Sequence, residues 1–182
     1  PPPHNGSQTL KDDDTSNTYT DPANGNTYTY SLSGTTATLT KFTGTDADVP
    51  KTVKKDNTSY TVTTIGEGAF ATLNHNGAYV FNATLKSVFL PDSIQTIEHG
   101  AFFGCSSLSK ITLYEGLITV RNSAFVMAGL TSVTLPKSLK EVGETAFGSI
   151  PVIDTVTYTG TREDWQKLLS SKTVRDNDTV GD

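Results

Sequence analysis

One spacing recurs along most of this chain and limits what it can fold into. Four copies of a short motif place an Ile or a Val four residues before an Ala-Phe pair. The motifs read IGEGAF, IEHGAF, VRNSAF and VGETAF, and they begin at Ile65, Ile97, Val120 and Val142. Behind the pairs follow the apolar blocks LKSVFL, LSKITL, LTSVTL and IDTVTY, which begin at Leu85, Leu108, Leu130 and Ile153. The blocks start 22 or 23 residues apart, which indicates a stack of similar units.

This period predicts a particular fold. A repeat of roughly 20 to 29 residues with a Leu-x-x-Leu-x-Leu core is typical of a leucine-rich repeat solenoid. Between a block and the next Ala-Phe pair come LPDSIQTI and LPKSLKEV, whose proline ends a strand because it lacks a backbone donor. Residues 65–160 are therefore predicted to form about four leucine-rich repeats, with a short curved β-sheet and a convex side of helices or turns.

The same residues carry a resemblance to a known family. The combination of LP.S...I, AF.GCSSL and..ITL resembles the BspA-like leucine-rich repeat family of bacterial surface proteins, over about residues 50–169. VPKTVKKDNTSYTVTTIGEGAF is similar to that family's entry segment, and YTGTREDWQKLL is similar to its closing segment. The resemblance implies an extracellular or cell-surface location and adhesion or other binding there. It does not imply a ligand.

The two ends of the chain differ from the repeats. A stack of repeats exposes its core at both ends, so such chains carry terminal units of different sequence. Residues 1–24 are polar and rich in Pro, Asp and Asn, which predicts a disordered linker. Residues 25–64 are predicted to form an N-terminal β-hairpin cap, because alternating apolar residues from Tyr28 to Leu39 flank the turn sequence SGTT. Residues 161–182 are predicted to form a C-terminal capping helix and tail.

The predicted capping helix has a start signal and an apolar face. Thr161 can serve as its N-cap, with Asp164 three residues later in the place of the usual Glu. Trp165, Leu168 and Leu169 fall on one helical face, which predicts that they close the last repeat. The single tryptophan could instead stack on a sugar, although its spacing favours a place in the core.

The phenylalanines of the Ala-Phe pairs recur once in each repeat. This recurrence favours a stacked internal spine over an aromatic ligand pocket. Full burial of one phenylalanine contributes about 1.5–3 kcal/mol. The spine residues are Phe70, Phe102, Phe125 and Phe147. Cys105, the one cysteine, has no partner for an intramolecular disulfide, and its place in GCSSL predicts a buried small hydrophobe.

Composition and motifs argue against several classes of function. The net charge is −5 and the basic residues are scattered, so no basic stripe is available to bind nucleic acid. No apolar run approaches the roughly 18 residues that cross a bilayer, so we expect no membrane insertion. The histidines stand apart, and no phosphate loop, serine elbow or His-Glu metal helix occurs. We therefore expect no enzyme activity, no cofactor and no metal.

Function is expected at the positions that the scaffold leaves free. Within the apolar blocks the intervening residues point outward in two ladders, and Phe89 is the one aromatic residue among them. The repeat of Phe70 also contains about nine extra residues within ATLNHNGAYVFNA, which form either a small edge hairpin or a ligand loop. We expect aromatic residues of this insertion to join Phe89 in one apolar patch. The candidate ligand-binding residues are Tyr79, Phe81, Phe89, Lys110, Thr112, Ser132, Thr134 and Thr157.

The sequence thus favours a non-catalytic, adhesin-type binding module that holds a host or neighbouring-cell protein or glycan at the cell surface. Four short strands about 4.8 Å apart offer a face of roughly 300 Å², whereas a stable interface needs about 800 Å² per partner. Binding is therefore expected to be weak unless many copies act together. The alternative function is a structural spacer that displays another domain of a larger surface protein.

Overall fold

A computed structural model of the chain describes residues 6–148 and 155–170. Within these ranges the fold is mostly β-strand, with one helix at the C-terminal end, α1 Arg162–Ser170. The strands are β1 Ser7–Thr9, β2 Thr18–Thr20, β3 Thr27–Ser33, β4 Thr36–Thr43, β5 Asp46–Asp48, β6 Thr52–Lys55, β7 Thr58–Ile65, β8 Thr72–Leu73, β9 Tyr79–Val80, β10 Ser87–Phe89, β11 Thr96–Ile97, β12 Thr119–Val120, β13 Ser132–Leu135, β14 Glu141–Val142 and β15 Thr155–Tyr158.

Four of these strands stack in parallel and hold the repeats in register. They are β7, β11, β12 and β14, which are neighbours in the largest sheet. Ile65 pairs with Ile97, Ile97 pairs with Val120, and Val120 pairs with Val142. These are the residues that precede the Ala-Phe pairs by four positions, and the first three are fully buried. The predicted repeat register is therefore confirmed at these strands.

The phenylalanines of the Ala-Phe pairs form the predicted internal spine. Phe70, Phe102 and Phe125 are buried, and Phe147 is partly buried against the same core. Successive ring centroids lie 4.7, 5.0 and 5.2 Å apart, and successive ring planes differ by 8°, 4° and 4°. Aromatic pairs at such distances contribute about 0.5–1.5 kcal/mol beyond the area that they bury. The spine thus joins each repeat to the next through one ring.

The column of rings continues into the N-terminal region, beyond the Ala-Phe pairs. Phe42 lies 5.4 Å from Phe70, Tyr28 lies 4.9 Å from Phe42, and Tyr19 lies 6.1 Å from Tyr28, measured between ring centroids. The hairpin predicted between Tyr28 and Leu39 is confirmed as β3 and β4. Strand β4 pairs in parallel with β7, so the hairpin extends the sheet of the repeats.

The prediction that residues 1–24 form a disordered linker is wrong from residue 6 onward. Strand β1 pairs with β6, and β2 pairs with β3. Leu10 is 2% exposed, and the Tyr30 hydroxyl donates a 2.5 Å hydrogen bond to Oε1 of the buried Gln8. A short strand added to an existing sheet edge gains main-chain hydrogen bonds with few apolar residues, so composition alone does not reveal it. Residues 1–5 lie outside the described part of the chain.

The apolar blocks, in which the sequence predicts strands, form main-chain pairs with other strands only in part. Strand β10 pairs with β5 and β13 pairs with β15, each in a separate two-stranded parallel sheet. Residues 109–112, within the block LSKITL, are not in a strand. Strand β10 is held by the N-terminal region, because Val49 N–H donates a 2.9 Å hydrogen bond to Phe89 C=O. The continuous pairing runs instead along the short strands before the Ala-Phe pairs.

Helix α1 begins at the predicted N-cap. Thr161 Oγ1 accepts a 3.1 Å hydrogen bond from Asp164 N–H. The same hydroxyl donates a 2.7 Å hydrogen bond to Asp164 Oδ2, so the carboxylate pairs with the capping side chain. The described part of the chain contains no helix with the length and apolar character of a transmembrane span.

The apolar face of α1 is smaller than predicted. Leu168 is buried, and the ring of the partly buried Trp165 lies 5.3 Å from that of Tyr158. Trp165 therefore packs against the core cluster, as its spacing predicts. Leu169 is 64% exposed, so it does not belong to the packed face. Residues 171–182, the predicted tail, lie outside the described residues.

The turn before the Ala-Phe pairs places residues in a left-handed backbone conformation. Gly68 and Gly100 both have a φ of 60°, and Ser123 at the equivalent position has a φ of 59°. The two glycines also leave room for the Tyr79 ring, whose atoms would lie 3.0 and 2.7 Å from a Cβ built on Gly68 and Gly100. Tyr79 belongs to the antiparallel hairpin of β8 and β9, which is formed by the insertion. The insertion therefore packs over the first two repeat turns.

Candidate binding site

A groove opens beside β10, in the region where the sequence predicts ligand-binding residues. One wall is formed by residues 86–90, and the other is formed by residues 109–112 together with Tyr114. The volume is about 330 Å³, which falls within the range of about 300–1,000 Å³ that is usual for ligand pockets. We call this cavity the β10 groove.

The β10 groove has an apolar floor and a polar rim. Val88, Leu90 and Ile111 are buried beneath it. The exposed Lys110 and the half-buried Thr112 stand on the wall opposite β10. This alternation follows from the two-residue period of an extended chain, because the apolar residues turn inward and their neighbours turn outward. The groove therefore offers apolar contact area together with an amine and a hydroxyl.

Two aromatic side chains line the β10 groove from opposite walls. Phe89 is 46% exposed, so much of its ring is open to a partner. Tyr114 is half-buried, and desolvation together with the Asp92 carboxylate raises the pKa of its phenol. Tyr114 is therefore a neutral hydrogen-bonding group near pH 7. Aromatic residues in such positions are the usual anchors of protein interfaces.

The far edge of β10 is occupied by an acidic strand. Strand β5 runs parallel to β10, with Asp46 opposite Ser87 and Asp48 opposite Phe89. Ser87 Oγ donates a 2.6 Å hydrogen bond to Asp46 Oδ1, and this bond is the main cause that lowers the pKa of the Asp46 carboxyl. A strand that carries two carboxylates thus already lies along one edge of β10.

The wall opposite β10 differs from β10 in its main-chain pairing. Among the described residues, nothing forms a hydrogen bond with the N–H or C=O groups of residues 110–113. The flanking groups are paired, because Thr131 N–H donates to Ser109 C=O at 3.3 Å and Leu117 N–H donates to Tyr114 C=O at 3.3 Å. We call residues 110–113 the unpaired segment.

The structure brings together three of the candidate residues and leaves the others apart. Phe89, Lys110 and Thr112 line the β10 groove. Another three lie on exposed positions of β13 and β15, where they continue the outward face toward the C-terminal end. These are Ser132, Thr134 and Thr157.

Tyr79 and Phe81 lie on a different surface, along the turns that carry the Ala-Phe pairs. The Tyr79 ring stacks 5.2 Å from that of Phe103. Phe81 is 63% exposed, and its Cα lies 3.1 Å from a Cβ built on Gly104. Neither residue lines the β10 groove. The expected single patch with Phe89 is not formed there, because the insertion folds back over the repeat turns.

Tyr114 is the groove residue that the sequence analysis missed. It follows Leu113 in LYEGLITV, where the neighbouring repeats have Pro91 and Pro136 after their leucines. A tyrosine at a position otherwise taken by proline is a departure from the repeat, and departures of this kind mark candidate sites. The signal was therefore present in the sequence.

Metal binding finds no support in side-chain geometry. Across residues 6–148 and 155–170, no group of three His, Cys, Asp or Glu side chains is arranged to hold an ion.

The Cys105 thiol is fully buried, and burial raises its pKa to about 12. Its Sγ donates a hydrogen bond to Phe70 C=O at 3.5 Å. The thiol is therefore a packed part of the core, as the sequence predicts.

Comparison with known families gives one match that covers half of the chain. Residues 75–167 match the family described as BspA type leucine rich repeat region, in six copies. The matched family is a repeat family, and no catalytic family is indicated. No curated protein matches the chain.

Solved structures include one relative that the alignment covers almost completely. A leucine-rich repeat protein from Bacteroides capillosus is 32% identical, with a TM-score of 0.63 over 79% of this chain and 99% of that one. The pneumococcal vaccine antigen PcpA is 20% identical, with a TM-score of 0.58 over 80% of this chain and 38% of that one. A leucine-rich repeat protein from T. pallidum is 24% identical, with a TM-score of 0.54 over 71% and 67% of the two chains. The last two share the fold.

Proposed function

The chain belongs to the BspA type leucine-rich repeat family, and on that premise we propose that it is a non-catalytic binding module of the bacterial cell surface. It holds a host or neighbouring-cell macromolecule in the manner of an adhesin. The observation that carries this proposal is the β10 groove, where the exposed Phe89 and the half-buried Tyr114 lie above a packed apolar floor. A rigid scaffold with exposed aromatic anchors suits recognition without chemistry.

This function requires a curved solenoid whose two ends are covered by other parts of the chain. We infer that the hairpin of β3 and β4 covers the first repeat, because Phe42 packs against Phe70. We infer that α1 covers the last repeat, because Trp165 and Leu168 pack against the core. Covered ends keep a repeat stack monomeric and soluble, so that the outward face stays available to a partner.

The binding surface extends beyond the β10 groove. We propose that Phe89, Lys110 and Thr112 form its centre, and that Ser132, Thr134 and Thr157 form a polar extension on β13 and β15. Tyr79 and Phe81 form a second contact on the repeat turns. Even a continuous face of four short strands would offer only roughly 300 Å², against the about 800 Å² per partner of a stable interface. Affinity is therefore low for one copy and rises when many copies act together.

The proposal is tested by comparing single and multivalent forms of the protein. The chain is displayed as a biotinylated monomer and as a streptavidin tetramer on arrays of matrix proteins and of glycans. We expect the tetramer to bind at least one class of array spot and the monomer to bind the same spots at least tenfold more weakly. A tetramer that is silent on both arrays contradicts the binding function and favours the structural spacer.

One substitution locates the site on the same arrays. Phe89→Ser should lower tetramer binding by tenfold or more, because loss of a hot-spot aromatic costs about 2 kcal/mol or more. Ile118→Ser is the matched control, since Ile118 is an exposed apolar residue that does not line the β10 groove. Equal loss in both variants, or no loss in Phe89→Ser, places the site elsewhere.

A further inference from the structure

We propose that the β10 groove takes an extended polypeptide as an added β-strand, whose main chain hydrogen-bonds to the unpaired segment, residues 110–113. This inference rests on the proposed binding function and names the chemical class of its partner. It follows from main-chain groups without partners, from the walls of the groove and from the strand already seated on β10.

The unpaired segment is the first observation. Native proteins pair more than about 90% of their buried main-chain polar groups. Within the unpaired segment only Ile111 is buried, whereas Lys110 is exposed and Thr112 and Leu113 are half-buried, so the segment is accessible to a partner chain. The segment belongs to the repeat block LSKITL, and the blocks before and after it form strands β10 and β13. Each of those strands pairs with one neighbour, β5 or β15, and neither pairs with the unpaired segment. The segment therefore keeps the donors and acceptors of a sheet edge.

The shape of the β10 groove is the second observation. Its β10 wall spans residues 86–90, which at about 3.3 Å per residue is about 16 Å long. A ligand of about five extended residues matches that length. Alternate side chains of such a ligand would face the buried Val88 and Ile111, and the others would face Phe89 or solvent. In strand addition, main-chain hydrogen bonds along the edge usually provide affinity, and contacts of alternate side chains with one face provide specificity.

Strand β5 is the third observation, because it shows what β10 already accepts. It lies parallel to β10 and carries Asp46 and Asp48 on exposed positions. Lys86 and Lys110 stand on the two walls of the groove and add positive charge. A peptide with an acidic residue beside Lys110 is therefore favoured over a basic peptide.

A glycan fits this arrangement less well. Hydroxyl groups can pair with single main-chain groups, but they do not repeat as alternating donors and acceptors at the spacing of a strand. A polypeptide main chain does, since each residue supplies one donor and one acceptor. The groups of residues 110–113 are satisfied together by a second extended chain.

The test begins with the intact protein, tetramerised on streptavidin, on an array of linear seven-residue peptides of varied sequence and on a glycan array. The peptide that binds best is then resynthesised with N-methyl groups on alternate residues, in both registers. One register removes the donors that face the unpaired segment, and the other removes the donors that face away from it. We expect one N-methylated peptide to lose at least tenfold in affinity and the other to bind as the parent does.

Two variants of the protein make the complementary test. Thr112→Pro removes a main-chain N–H that has no partner among the described residues, so it should abolish peptide binding with little loss of thermal stability. Thr112→Ala keeps the N–H and loses only the side-chain hydroxyl, so it should retain far more peptide binding than Thr112→Pro does. Should Thr112→Pro fold poorly, hydrogen exchange of the parent replaces it, and the amides of residues 110–113 should become protected when the array peptide is added.

The outcomes separate this inference from the proposed function. Peptide binding that depends on N-methyl register and on the Thr112 N–H supports strand addition. Binding of glycans alone overturns the inference while the binding function stands. Peptide binding that is insensitive to N-methylation in both registers, or that leaves the amides of residues 110–113 unprotected, also overturns the inference. If the tetramer binds neither the peptide array nor the glycan array, both the binding function and this inference are contradicted.

Discussion

The spine of phenylalanines makes the most quantitative prediction. Phe125 is fully buried, and its ring lies 5.0 Å from that of Phe102 and 5.2 Å from that of Phe147. Phe125→Ala removes both ring contacts and leaves a cavity between repeats, which should lower the free energy of unfolding by about 3–5 kcal/mol. At about 2–4 °C per kcal/mol for a chain of this size, the melting temperature should fall by about 6–20 °C.

The assay is thermal unfolding followed by circular dichroism, with urea unfolding in parallel. The transition should also broaden, because a repeat stack whose neighbour contacts are weakened unfolds in parts rather than as one unit. Phe81→Ala is the matched control, since Phe81 is exposed and its loss should change stability by no more than about 0.5 kcal/mol. A melting temperature for Phe125→Ala equal to that of the parent would refute the internal spine.

Four smaller predictions concern the turns, the N-terminal edge, the core thiol and the C-terminal helix. Ser123→Gly should raise the free energy of unfolding by up to about 1 kcal/mol in urea titrations, because it relieves a left-handed residue; a loss would show that the turn is unstrained. Asn26→Ala should cost about 1–3 kcal/mol in the same assay, since Asn26 Nδ2 donates to Asp46 C=O at 2.8 Å, and an unchanged stability would show that water replaces it. Maleimide labelling of Cys105 should proceed only at the rate of unfolding, and stability should fall as pH rises from about 8.5, the usual thiol pKa, towards its native pKa of about 12; rapid labelling of the native protein would contradict burial. Deletion of residues 162–182 should cause self-association in size-exclusion chromatography, whereas a stable monomer would show that α1 covers nothing.

The sequence predicted the parts of the fold that depend on side-chain periodicity. The positions of Phe102 and Phe125 in the core follow from one apolar pair per repeat, and the structure confirms them. The register at Ile97 and Val120 follows from the same period. Such features can be predicted from the sequence because each repeat must present the same apolar residues to its neighbours.

Several other features that depend on main-chain pairing could not be predicted from the sequence. Strands β1 and β2 add to sheet edges through hydrogen bonds, and their residues carry no periodic signal. The block that contains Ile111 has the same pattern as its neighbours, yet it does not pair, because pairing is decided by the geometry of two strands. Phe42 joins the spine from a hairpin that has no Ala-Phe pair.

The candidate site was predicted in part for the same reasons. Phe89, Lys110 and Thr112 stand at outward positions of the repeat, so their period placed them together. The insertion follows no period, and the sequence could not show that Tyr79 folds back over Gly68 and Gly100.

Nuclear magnetic resonance provides the most direct test that this protein binds a macromolecule through the β10 groove. The ¹⁵N-labelled chain is titrated with the peptide or glycan that the tetramer binds best on the arrays, and amide shifts are mapped onto the structure. The largest shifts should fall on residues 86–90 and 109–114, with smaller ones on β13 and β15. Shifts confined to the turns around Tyr79 and Phe81, or spread evenly without saturation, would contradict a binding site in the groove.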